Sequence, residues 1–183
     1  LLKRGERLAP DAAESHYLRR VLRCRAGEAI DLVDGAGGLL PARLEADGLL
    51  RLEPTGQRRQ VASPCALELA LALPRRETEL VWRMATELGV DRLQPLLAQR
   101  CQPQPLAMER WHAIVREALE QSERLWLPEL SQPEEAVTWL ARPAPGLALL
   151  ATTPRAGLPQ LETLLAQTSA EGPDRKSTRL NSS

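Results

Sequence analysis

The stretch Leu67-Glu-Leu-Ala-Leu-Ala-Leu-Pro-Arg-Arg-Glu-Thr-Glu-Leu-Val-Trp-Arg-Met-Ala-Thr-Glu-Leu-Gly-Val-Asp-Arg-Leu-Gln-Pro-Leu-Leu-Ala98 reads as strand, helix, strand. Leu67, Leu69, Leu71 and Leu73 alternate with Glu68, Ala70 and Ala72, the period-two spacing of a strand, and Pro74 closes it. Residues 78–88 place Leu80, Val81, Met84, Ala85 and Leu88 on one helical stripe, and Gly89 offers the left-handed stop that helix ends favour. Residues 92–98 then make a second strand. Strand and helix in alternation predict an α/β fold with a parallel sheet.

Downstream, residues 106–125 predict a longer helix with Trp111, Ile114, Val115 and Ala118 inward. A short helix over 134–141 and a strand over 147–151 follow. Upstream the grammar changes. Ile30 and Leu32 alternate with Asp31, and residues 39–44 and 49–52 make two more short runs, separated by turn chemistry at Asp34-Gly-Ala-Gly-Gly38 and Asp47-Gly48. Such close spacing predicts a compact β-barrel or sandwich, preceded by a helix over 11–23 and followed by a polar connector over 55–64. The expected organisation is a small β domain over 1–62 and an α/β domain over 63–173.

The last ten residues, Asp174 to Ser183, carry no apolar pattern and match the in-frame translation of a DNA string that resembles a common sequencing-library adapter. They are expected to be foreign to the fold. With a start at Leu1 rather than Met, the chain is expected to be a fragment open at both ends. The formal net charge is zero, and about −2 without the tail, which holds three of the cations and one of the anions. Bulk charge therefore announces no nucleic acid, but arginines cluster at 19, 20, 23 and 25, at 58 and 59, and at 75 and 76. Three scattered cysteines, Cys24, Cys65 and Cys101, imply neither a disulfide framework nor a zinc site. The longest uncharged apolar run, 146–151, is far too short to span a bilayer, and the first residues do not form a signal peptide. The expectation is a cytoplasmic protein with no membrane and no metal partner.

Ordinary catalytic motifs are absent. Gly35, Gly37 and Gly38 fall between strands, where a hairpin turn is the better reading than a nucleotide loop. His16 and His112 are the only histidines, and no Ser or Cys has elbow or triad context. On the long helix Glu117, Gln121 and Arg124 share one face; read from pattern alone, Arg116 with Glu120 and Glu120 with Arg124 are solvent-exposed pairs worth about 0.2–0.5 kcal/mol each.

Thr86-Glu-Leu-Gly-Val90, Pro95, Gln99-Arg100-Cys101, Arg110-Trp111 and Glu117-Ala-Leu-Glu-Gln-Ser-Glu-Arg124 with Pro128 resemble the RsmE family of 16S rRNA uracil N3-methyltransferases in identity, order and spacing. His16-Tyr-Leu-Arg-Arg-Val-Leu-Arg23, Gly27 and Leu32-Val-Asp-Gly35 resemble that family's RNA-binding module. The resemblance implies a PUA-like barrel over 1–62 joined to a SPOUT domain over 63–173, whose C-terminal strands tie a trefoil knot around S-adenosylmethionine. It implies a homodimer that methylates N3 of one uridine in the small ribosomal subunit. His16, Arg20, Arg23 and Arg25 then fall to the barrel's RNA contacts, Arg100, Gln121 and Arg124 to RNA or the dimer-related active site, and Ala151 and Thr152 to the first cofactor-side strand. No residue is assigned as proton acceptor.

Two departures stand out. Met84 occupies a position where family members commonly have lysine, leaving neighbouring Arg83 to take any such role. The family's Gly-Pro-Glu-Gly-Gly loop and Leu-Arg-Thr-Glu-Thr-like segment do not occur, so the chain is expected to be inactive alone and prone to aggregate. The alternatives are a non-catalytic PUA-like RNA-binding protein and a purely structural α/β protein.

Overall fold

The computed structural model describes residues 6–101, 106–152, 159–171 and 178–181. The chain divides into two compact units, Leu1–Ala136 and Val137–Ser183.

In the first unit, β1 (Arg7–Leu8), β2 (Ala29–Val33), β3 (Gly38–Leu44), β4 (Leu50–Leu52) and β5 (Arg58–Arg59) form an antiparallel sheet in the order β1-β4-β3-β2, with β5 on β3. β1 and β2 end that path, and no hydrogen-bonded pairing among the described residues closes it into a barrel. Period-two patterning selects the buried face: Ala42, Leu44, Leu50 and Leu52 point inward and enclose Leu18. The helix expected over 11–23 is shorter and changes type. α1 (Ala12–His16) starts in a capping box, with the Glu14 N–H donating to Asp11 Oδ1 and the Asp11 N–H to Glu14 Oε2, both 2.8 Å. It continues as π-helical turns over Tyr17–Val21, with the Leu22 N–H donating to the Tyr17 carbonyl at 3.0 Å. Arg23, at φ 56°, then turns left-handed and the Cys24 N–H closes on the Leu18 carbonyl at 2.9 Å, so the helix stops where its core residue is seated.

The remainder of this unit is the parallel sheet expected from the 67–98 stretch. β6 (Glu68–Ala72), β7 (Arg92–Leu97) and β8 (Glu129–Leu130) lie in that order, with β9 (Glu134–Glu135) also on β7, every pairing parallel. α2 (Thr78–Leu88) ends as expected at Gly89, φ 87°. α3 (Met108–Gln121) is shorter than the periodicity predicts, because Glu123 at φ 53° turns left-handed and the Arg124 N–H bonds back to the Leu119 carbonyl at 3.1 Å. Leu73, Trp82, Leu93, Trp111 and Val115 make a second core, with the two indoles edge to face at 6.1 Å. Of the short helix expected over 134–141, the first two residues are instead β9, since pairing with Leu96 and Leu97 satisfies their backbone, and only α4 (Ala136–Leu140) is helical.

In the second unit, β10 (Leu149–Thr152) pairs in parallel with β11 (Thr178–Asn181), Leu149 opposite Thr178. The sequence reading assigned no element to residues 178–181, nor to α5 (Leu161–Glu171).

Candidate RNA interface

Arginines sort by whether a carboxylate holds them. Arg7, Arg43, Arg51, Arg59, Arg83, Arg92 and Arg110 are all ion-paired. Arg20, Arg23 and Arg25 have no ion pair among the described residues, and they are exposed, as is His16. His16, Arg20, Arg23 and Arg25 thus lie on and just after the capped first helix, which Leu18 anchors to the core. Arg19 leaves that group, because its guanidinium packs over Gly48 in the β3–β4 turn so closely that a Cβ there would collide with it. Arg100 is exposed in the turn after β7, also without a carboxylate among the described residues.

The α3 residues divide differently from expectation. Glu117 is held by Arg83 across the α2–α3 contact at 3.4 Å, and Arg110 binds Glu79 at 2.8 Å through Nη2 and Oε2. Gln121 is exposed. Arg124 is half-buried with its guanidinium against Gly89, in the space a side chain would need. The ion pairs expected of Glu120 with Arg116 and with Arg124 do not form. Glu120 instead faces the Tyr17 hydroxyl, in the π-helical turns that also carry Arg20. Burial, and then the like charge of Glu117, push the Glu120 carboxyl above its ordinary range against the opposing effect of the Tyr17 hydroxyl. Burial first, then Glu120, push the Tyr17 phenol up.

Gly35, Gly37 and Gly38 make the expected hairpin turn, which also joins the two cores. Asp34 Oδ1 accepts the N–H groups of Ala36 and Gly38, both at 2.7 Å, and these bonds hold its carboxyl below the usual carboxylate range. The turn then pairs antiparallel with the segment after α3: the Gly37 N–H donates to the Leu125 carbonyl at 2.8 Å, and the Leu127 N–H to the Gly35 carbonyl at 2.9 Å. Gly37 sits at φ 89°, and a Cβ on it would lie 2.6 Å from the Trp126 ring. Sequence reasoning missed this joint and the approach of Tyr17 to Glu120. The available signal was a glycine-rich turn combined with an unassigned tryptophan just beyond a helix end.

Ala151 is exposed on β10, and Thr152 is that strand's last residue. The residues expected next in a cofactor site do not follow: 153–158 lie outside the described residues, and no Gly-Pro-Glu-Gly-Gly loop occurs in the sequence. The residues present therefore do not fit a complete S-adenosylmethionine site. Among the described residues no group of three acidic, His or Cys side chains is placed to hold a metal, and no helix is long and apolar enough to cross a membrane.

The model of the RNA methyltransferase domain matches residues 61–176, and that of the RNA methyltransferase PUA domain matches residues 10–52. The chain belongs to the RNA methyltransferase family. Among relatives of this RNA methyltransferase chain, ribosomal RNA small subunit methyltransferase E of Synechocystis is 41% identical over 163 residues, covering 85% of this chain and 53% of the relative. The protein of the same name from Rickettsia conorii is 32% identical over 126 residues, covering 67% and 50%. The chain spans about half the length of these curated relatives. Two solved structures share its fold. Ribosomal RNA small subunit methyltransferase E from Neisseria gonorrhoeae, bound to S-adenosyl methionine, has TM-score 0.72 and 21% identity, covering 99% of this chain and 75% of that one. A protein from Legionella pneumophila, solved with the cofactor SAM, has TM-score 0.77 and 22% identity over the same shares.

Proposed function

We propose that this chain is the RNA-holding part of an S-adenosylmethionine-dependent methyltransferase that modifies N3 of one uridine in 16S rRNA, within the small ribosomal subunit and as a cytoplasmic homodimer. Residues 1–62 serve as a PUA-like RNA-binding domain and 63–173 as a SPOUT domain whose trefoil knot needs further strands, while 174–183 take no part in function. The observation that carries the reading is a group of exposed arginines with no ion pair among the described residues, Arg20, Arg23, Arg25 and Arg100 among them, on a member of the RNA methyltransferase family. An arginine fork grips phosphate or a base edge without giving up its charge. His16, Gln121 and Arg124 flank these contacts.

The cofactor would supply a methyl group already activated on sulfonium. This chain's part is to hold the uridine so that N3 faces the methyl donor. Ala151 and Thr152 end the cofactor-side strand, and the chain by itself, with no Gly-Pro-Glu-Gly-Gly loop in its sequence, is inactive. A second reading is a non-catalytic RNA-binding protein, which the match to the RNA methyltransferase PUA domain over residues 10–52 supports.

Methyl transfer separates the two. Unmodified small subunits are incubated with S-adenosylmethionine and either this chain or a version continued past Pro173 with the corresponding segment of the Synechocystis relative. Methylated N3 has lost a Watson–Crick donor, so reverse transcription should stop at one uridine with the continued version only. A stop with the unaltered chain would overturn its proposed inactivity. No stop with either, together with retention of rRNA on a filter, would favour the RNA-binding reading.

A further inference from the structure

β6 and β7 run parallel and end side by side. Their ladder runs through Ala72 opposite Leu96, gains one more bond from the Leu73 N–H to the Leu96 carbonyl at 3.0 Å, and stops at Pro74, which has no N–H to donate. Open α/β sheets bind ligands at the carboxyl ends of such strands. Here that edge holds a cleft of about 400 Å³, within the range of ligand sites. Leu73, Pro74 and Ala98 give it an apolar wall, and its charged lining residues are Arg75 and Arg100, with no acid among them.

The turn carrying Arg100 is tied down. The Cys101 N–H donates to the Ala98 carbonyl at 2.8 Å, and Cys101 Sγ accepts the Ala98 N–H at 3.4 Å, so little backbone freedom remains to be lost on binding. Arg75 and Arg100 have no ion pair among the described residues, unlike the arginines of the α2–α3 contact. A neighbouring cleft of about 570 Å³ shares Arg75 but is less cationic, because Glu77 and Glu79 line it too and its Arg83 is held by Glu117.

We propose that the cleft between the ends of β6 and β7 is a phosphate site for the RNA backbone, with Arg75 and Arg100 closing on one phosphodiester from opposite sides. It rests on the reading that the chain binds RNA, and adds Arg75 and a defined place for the anion. Two guanidiniums facing a partly apolar cleft suit an anion with several acceptor oxygens and modest hydration.

The test is fluorescence anisotropy of this chain with a labelled single-stranded oligouridine about a dozen nucleotides long, across a salt series. Arg75→Gln and Arg100→Gln should each weaken binding roughly three- to tenfold and lower the slope of log affinity against log salt by about 0.7. Arg75→Lys, which keeps the charge, should retain the slope, and Arg92→Gln, on an arginine held by Glu129 at the other end of β7, should change neither. If both glutamine variants stay within about twofold of the parent while Arg20→Gln weakens binding, the phosphate site is wrong and the RNA reading survives. If the parent does not bind oligouridine, both fall. Should Arg75→Gln lose its thermal transition, Arg75→Lys and Arg100→Gln decide.

Discussion

Asp34 and Glu120 are two carboxylates pushed in opposite directions, and each sets a different part of the stability profile. Asp34 is held ionised by the N–H groups of Ala36 and Gly38. Its folded pKa lies below the unfolded value, so its contribution is present above about pH 4 and lost as pH falls through the folded value. Asp34→Ala should cost roughly 1–2 kcal/mol at pH 7, read from the urea midpoint, and flatten the acid limb of stability against pH. Equal midpoints would show that the turn holds without the carboxylate. Glu120 carries the opposite sign. Its folded value is raised, so stability is full below the unfolded value and declines as pH rises through the folded one. Glu120→Gln keeps an acceptor for the Tyr17 hydroxyl without the charge. It should leave the protein at least as stable at pH 7 and remove that decline, and a large loss at pH 7 would contradict the assigned cause. Neither role was legible from the sequence, since nothing in a residue pattern says that Glu120 will meet Tyr17 instead of Arg116 or Arg124.

At the level of helices and strands, the α2–α3 contact combines a buried aromatic pair with exposed ion pairs, and their sizes differ. Trp111 is 4% exposed against Trp82, so Trp111→Ala should cost about 3–5 kcal/mol. Glu79→Ala removes the partner of exposed Arg110 and should cost far less. Chemical denaturation of both variants checks the ranking, and comparable losses would refute it. The same distinction explains what could be read in advance. β6, α2 and β7 were legible as elements because Leu69, Leu71, Val81, Ala85 and Leu93 recur at the period of the element that carries them, but the inward face of α2 was not: Leu80, Met84 and Leu88 of the expected stripe are exposed, and Trp82 and Thr86 are buried instead. Element ends were not, where backbone geometry decided: Arg23 and Glu123 turn left-handed without being glycine, and Glu134 and Glu135 join a sheet despite poor strand propensity. Of the expected interface, the sequence pattern picked out arginines that are exposed, Arg20, Arg23, Arg25 and Arg100, but not that Arg83 would occupy Glu117 or that Arg124 would cover Gly89.

For the first compact unit, the decisive feature is where its two cores meet among the described residues: at the paired turn of Gly35 to Gly37 with Leu125 to Leu127, and where Tyr17 faces Glu120. Gly37→Ala introduces a Cβ at positive φ and against the Trp126 ring, a strain of roughly 1–2 kcal/mol before any contact is counted. The parent should therefore melt both cores in one transition, whereas Gly37→Ala should separate them into two, visible by calorimetry. A single, merely lowered transition would mean that the cores are coupled some other way. The joint also sets an order of events during synthesis. Every pairing in the antiparallel sheet is complete once residue 59 has emerged, but Ala36 must wait for Trp126, about 90 residues further along the chain. The amino-terminal fold can thus form first on the translating ribosome and swing freely, its arginines exposed to the surrounding rRNA, until α3 emerges and the turn finds its partner.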